Sequence, residues 1–177
     1  MRAAIVLGLA MALTSPVLAQ QGEMPAKPAA SCAAMDASLP APLADWNGKA
    51  AISTAPSAEH LMHAPLTLGQ GYEANLLKTP KVAMPVQPEK PGGSVAFAGL
   101  FSFTVPEAGN YSVALGAAAW IDVLEGGKAV TPTSFGHGPE CTSIRKIVVF
   151  PLKAGAHTLQ ISANADAKLK LMVAKKP

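Results

Sequence analysis

The chain has 177 residues, enough for one domain with a sizeable core, and half of them are apolar, although alanine supplies much of that share. Lysine and arginine total 14 against 11 acidic residues, a formal net charge of +3. Like charges occur at most in pairs, as at Arg145-Lys146 and Lys175-Lys176, which excludes the clustered basic footprint of a nucleic-acid binder.

The first residues set the compartment. Met1-Arg2 is a short positive start, residues 3–13 are an apolar run, and Val17-Leu18-Ala19 is a small-residue cleavage site. Residues 1–19 therefore read as a signal peptide that delivers the protein to the periplasm or outside the cell. The apolar run is too short to span a bilayer and Pro16 breaks it, so no membrane span is expected after cleavage. No cysteine lies just after the site, which argues against a lipid anchor there. In an oxidising compartment the two cysteines, Cys32 and Cys141, read most simply as one disulfide pinning the N-terminal segment. The alternative for either is a reactive thiol or a metal ligand.

Residues 20–64 form an irregular N-terminal segment in this reading. Residues 20–30 are polar and rich in proline and alanine, Leu39-Pro40-Ala41-Pro42 is extended, and Trp46-Asn47-Gly48 is a turn. Residues 49–64 suggest coil with at most one helical turn after Pro56. Residues 65–177 read as the folded domain. It begins with strands over residues 65–68 and 72–78, then a short edge strand over residues 82–86 containing Pro85. A loop at Pro88-Glu89-Lys90-Pro91-Gly92-Gly93 precedes a strand over residues 94–105 with a bend at Gly99.

Residues 101–130 carry the clearest pattern. Phe101, Phe103 and Val105 alternate with Ser102 and Thr104, and Tyr111, Val113 and Leu115 alternate with Ser112 and Ala114. Trp120 to Leu124 then runs into Gly126-Gly127, whose freedom to adopt positive φ suits a tight hairpin. The three strands read as a β-meander. A long connection over residues 131–141 follows, rich in glycine and proline, of the kind that is often functional. Ile147, Val148, Val149 and Phe150 are all apolar and suggest a strand covered on both faces. His157, Leu159 and Ile161, then Leu169, Leu171 and Val173, give two more alternating strands. The expected fold is an all-β, antiparallel, jelly-roll-like β-sandwich. Residues 108–115 echo residues 154–161, as two hairpins using one turn would.

These residues also carry resemblances. Phe103-Thr104-Val105, Ala108-Gly109-Asn110-Tyr111, Trp120 to Asp122 and Leu152-Lys153-Ala154-Gly155 with Leu159 resemble the sandwiches of bacterial pre-peptidase C-terminal and galactose-binding-like domains. That likeness covers about residues 94–173; it implies fold and leaves the ligand open. The whole chain resembles small secreted bacterial proteins that carry the name homogentisate 1,2-dioxygenase. The matching stretches are Glu89 to Gly93, Ala119 to Val123, Gly136 to Cys141 and Ile144-Arg145-Lys146. The name implies an oxygenase with iron held by two histidines and a carboxylate, although the chain has no cupin histidine motif.

The candidate sites follow from residue types. His60 and His63 have i, i+3 spacing beside Glu59 and Met62, which on one helical turn would let them hold iron or copper. His137 and Glu140, joined by His60 or His63, would complete a two-histidine, one-carboxylate set. Exposed loop histidines are the simpler account, and a rigid frame is normally needed for such a set. Trp120 and Asp122 share a face, so an aromatic ring beside a carboxylate is placed to bind a sugar or another small molecule; cross-strand packing is the plainer alternative. His157 reads as a core-edge residue, and Arg145-Lys146 as a solvated strand edge with an anion-binding role as the alternative. Together the residues favour a non-enzymatic binding or accessory module without a cofactor. Its ligand surface would be Trp120, Asp122, His137 and Glu140, and its partner an unidentified small molecule, a glycan or an envelope protein. The small metal-dependent oxygenase is the alternative.

Overall fold

Alternation in the long strands becomes two sheets packed face to face. The computed structural model describes residues 32–176, so the signal-peptide reading of residues 1–19 lies outside the described residues. The strands are β1 (Ala50–Ser53), β2 (Pro65–Leu66), β3 (Gly71–Asn75), β4 (Leu77–Lys78), β5 (Phe97–Val105) and β6 (Gly109–Leu115). They continue with β7 (Trp120–Glu125), β8 (Lys128–Ala129), β9 (Ser134–Gly136), β10 (Lys146–Leu152), β11 (Gly155–Asn164) and β12 (Lys168–Lys175). The first sheet runs β1-β3-β12-β6-β10-β9 and the second β2-β5-β11-β7-β8, with β4 also pairing β5. The fold is an all-β sandwich.

The expected antiparallel arrangement needs one correction, because both sheets are mixed. β1 lies parallel to β3 and β2 parallel to β5, while the other pairs are antiparallel. The parallel strands are both short and lie at sheet edges, and β1 falls inside the stretch read as irregular. Ala50-Ala51-Ile52-Ser53 has weak intrinsic strand preference; pairing with β3 decides its state. The chain then crosses to the second sheet, where the Ala55 amide donates to Leu100 O at 2.9 Å. The rest of the expected coil is a 3-10 turn, Ala58–His63.

The meander reading also changes. β5, β6 and β7 alternate between sheets, and so do β10, β11 and β12. Only β7 and β8 form the expected hairpin, with Gly126 at φ 57° and Gly127 at φ 78°. The repeated Ala-Gly stretches are therefore corners between sheets rather than hairpins. Each turns the chain across the sandwich and seals the corner with a buried ring. The Tyr111 hydroxyl donates to Glu107 O at 3.0 Å, and His157 Nδ1 meets Gly155 O at 3.0 Å. His157 is buried on the Leu159 and Ile161 face, as expected, and stacks on Phe103.

The expected strand over residues 72–78 is split, because Leu76 turns the chain from the first sheet at β3 to the second at β4. Residues 82–86 form no strand. They lie over the outer face of β11 instead, where Gln160 Nε2 donates to Val86 O at 2.9 Å and Ser162 Oγ to Lys90 O at 2.8 Å. These bonds satisfy polar side chains that the loop buries.

The main core fills the space between the sheets and includes Phe101, Phe103, Tyr111, Phe150, Leu159 and Leu171. A second, smaller core lies outside the first sheet. There the 3-10 segment Ala41–Asn47 lays Leu43 and Trp46 against Ala114, Ile144, Met172 and Ala174. This explains why the β10 residues are apolar on both faces. Gly71 allows that segment to approach, since a Cβ there would sit 2.2 Å from Asp45 O. The disulfide Cys32–Cys141 joins the chain ahead of that segment to the β9–β10 connection. Among the described residues no helix is long and apolar enough to cross a membrane.

One ion pair gives a pH expectation. Glu125 Oε1 accepts from Lys153 Nζ at 2.8 Å, and these hydrogen bonds from Lys153, with a lesser one from His157, hold the carboxyl below its usual range. A lowered carboxyl stabilises the fold fully above the ordinary value near 4.5 and loses that contribution as pH falls through its lowered value. Glu125→Gln should therefore lower Tm slightly at neutral pH and leave it unchanged below the lowered value, so that the acid side of a Tm-against-pH curve flattens by the same small amount.

Candidate functional site

The strands β7 and β10 belong to opposite sheets, and near their Trp120 and Lys146 ends they frame a cavity of about 400 Å³. Ile121, Val148 and Phe150 line it from the sheets, and Val130, Pro132 and Phe135 from the β8–β9 region. Its polar groups are Asp122, Lys90 and Lys146, with Trp120 between them.

Local sequence explains each placement. Strand alternation sends Ile121 and Val123 into the core and leaves Trp120 and Asp122 half-buried on the other face. There Trp120 Nε1 donates to Asp122 Oδ1 at 3.0 Å, and Gln160 Nε2 donates to Asp122 Oδ2 at 2.9 Å. Gln160 sits directly across from Asp122 in the β11–β7 pairing, which fixes the carboxylate. Lys146 opens β10, and its ammonium donates to Ala119 O at 2.8 Å. The Lys90 and Lys146 ammonium groups lie 5.4 and 5.6 Å from the Trp120 ring centre, within cation–π range. Burial first, and then repulsion from Lys90, pulls the Lys146 ammonium below the usual lysine range. Phe135 on the edge strand β9 is 82% exposed, the largest exposure among the big apolar side chains at this cavity.

The structure thus brings together two of the four candidate ligand residues, Trp120 and Asp122, and adds Lys90, Phe135 and Lys146. The other two lie elsewhere. His137, just after β9, is exposed with Nδ1 3.3 Å from Arg145 O, and Glu140 lines a shallow recess beside the disulfide. His60 and His63 are exposed on the turn Ala58–His63, where the Ser57 hydroxyl lies 2.9 Å from His60 Nδ1. The alternative metal set, His137 and Glu140 with His60 or His63, does not come together: among the described residues, no group of three or more His, Cys, Asp and Glu side chains is placed to hold a metal ion. Spacing within a turn placed the first two histidines side by side, but the turn packs against β5, whereas His137 follows the far edge of the other sheet.

Lys90 carries no signal in the sequence, because its loop reads only as Pro/Gly punctuation. Lys146 was visible as half of Arg145-Lys146. Strand alternation separates that pair, leaving Arg145 exposed and turning Lys146 to the cavity. Phe135 was hidden in a stretch read as one long loop, of which residues Ser134–Gly136 form β9. Compared with known protein families and with curated proteins, the chain matches no family model and no curated sequence.

Proposed function

We propose that this chain is a non-enzymatic binding module of the periplasm or the extracellular space, and that its ligand is a small molecule with an apolar body seated between β7 and β10. The observation that carries this reading is the cavity itself, of about 400 Å³, apolar along most of its wall with a few convergent polar groups. The disulfide supports an oxidising compartment. A glycan fits less well. The Trp120 N–H and both Asp122 oxygens already have partners, and two ammonium groups lie close to the ring on which a sugar would stack. The oxygenase alternative draws no support from the positions of the four histidine and carboxylate candidates.

The test is a titration of small amphiphiles followed by tryptophan fluorescence and by thermal shift. A ligand of the cavity should saturate at one per chain and raise Tm. Phe135→Ala should weaken it about tenfold, the effect of losing part of one aromatic contact. Because Phe135 is exposed in the free protein, the same substitution should leave the unliganded Tm unchanged. If no amphiphile saturates, or if Phe135→Ala has no effect on one that does, the cavity is not the binding site.

A further inference from the structure

The cavity has a charged end with an unbalanced sign. Two cations and one anion line it, Lys90 and Lys146 against Asp122. Asp122 already accepts a hydrogen bond on each oxygen, from Trp120 and from Gln160. Neither lysine forms an ion pair with a carboxylate among the described residues; the ion pairs of the chain there are Lys153 and His157 with Glu125, Lys170 with Asp36, and Lys175 with Glu107. The two ammonium groups instead gather at one indole, close enough to repel each other. Lys146 is held there by a single bond to Ala119 O, which leaves it two further donors.

Resting on the binding-module reading above, we infer that the ligand is an amphiphilic acid: one carboxylate headgroup held between Lys90 and Lys146, with its apolar body along Ile121, Val130, Val148 and Phe150. A carboxylate there relieves the repulsion between the lysines and accepts charge-assisted hydrogen bonds from both. The apolar wall excludes water from one side of the ion pairs and so strengthens them. A bare inorganic anion would use the lysines and leave the apolar wall wet. A neutral amphiphile would fill the wall and leave the lysines unpaired. The cavity matches a molecule with both parts.

Octanoate, octanol and octylamine share one chain length and differ in headgroup charge, so they isolate this inference. Each is titrated into the purified protein and into Lys90→Met and Lys90→Met/Lys146→Met variants, by calorimetry and tryptophan fluorescence. Octanoate should bind at least tenfold more tightly than octanol and more tightly still than octylamine. The double variant should lose that preference, with octanoate weakened at least tenfold and octanol unchanged. Lys90 is exposed and its side chain holds no backbone group, so Lys90→Met alone should keep the fold and lose part of the preference even if the double variant is unstable. Octanol binding as well as octanoate, with both indifferent to the lysines, overturns the charge inference and leaves the binding module standing. Saturation by none of the three overturns both.

Discussion

Replacing Trp46 by alanine should cost about 3–5 kcal/mol of folding stability, among the largest effects of any single substitution in this chain. Trp46 is wholly buried although it lies outside the sandwich, in the layer the N-terminal segment builds on the first sheet. Its ring packs in one cluster with Ala114, Met172 and Ala174; the short alanines cannot reach into the space it would leave, and Met172 alone can fill only part of it. Its Nε1 donates to Ser143 Oγ at 2.8 Å, and Ser143 donates from its amide and hydroxyl to the two carboxylate oxygens of Asp36, both at 2.6 Å. The substitution therefore removes packing and the first member of a polar chain. Trp46→Phe should cost less, about 1–2 kcal/mol, since it keeps most of the apolar area and loses the hydrogen bond. Urea unfolding followed by far-ultraviolet circular dichroism reads both without relying on tryptophan emission. A cost below about 1 kcal/mol for Trp46→Ala would mean that the segment is not part of the cooperative unit.

That layer marks where the sequence was legible and where it was not. Period-two alternation identified the inward residues of β5, β6, β11 and β12 correctly, because one buried face imposes it whichever strand lies alongside. Alternation carries no information about the neighbour. Thus β5, β6 and β7 read as consecutive strands of a meander when each changes sheet. The corners did leave a trace, the repeated Ala-Gly with a ring two residues on, at Tyr111 and His157; what it specified was a crossing. The N-terminal layer reads as irregular in the sequence because its 3-10 turn and the edge strand β1 take their structure from the surface they cover. The cavity divides in the same way. Trp120 and Asp122 stood out because a strand sets their spacing, whereas Lys90 and Phe135 reach the site from segments whose course depends on the rest of the fold.

The second large effect concerns the link holding that layer in place. Removing the disulfide by Cys32→Ala/Cys141→Ala should lower stability by about 3–4 kcal/mol, and the m-value should rise because the unfolded chain becomes free to expand. The two cysteines are separated by 109 residues, so the bond constrains most of the described chain when it is unfolded. In the folded state the same junction has a non-covalent latch. The Asp36 amide donates to Cys141 O at 2.8 Å, and the Asp36 carboxylate accepts from Ser143. With the disulfide intact, the latch is held at high effective concentration, so Asp36→Ala should cost only its carboxylate contacts, the two bonds from Ser143 and the long ion pair with Lys170, and the strain of alanine at φ 59°, together about 2–3 kcal/mol. Without the disulfide, the segment is held by non-covalent contacts, namely the latch, the packing of Leu43 and Trp46, and the bonds of Asp45 to the Gly71 amide and of Asn47 to Lys170. Asp36→Ala should then be more damaging than in the oxidised protein, and the three substitutions together should cost more than the sum of the separate losses. Strict additivity would show that the latch and the disulfide act on independent parts of the fold. A loss on disulfide removal below about 1 kcal/mol, with no change in m-value, would show that the bond constrains neither state, and that Trp46 and its neighbours suffice to hold the outer layer to the first sheet.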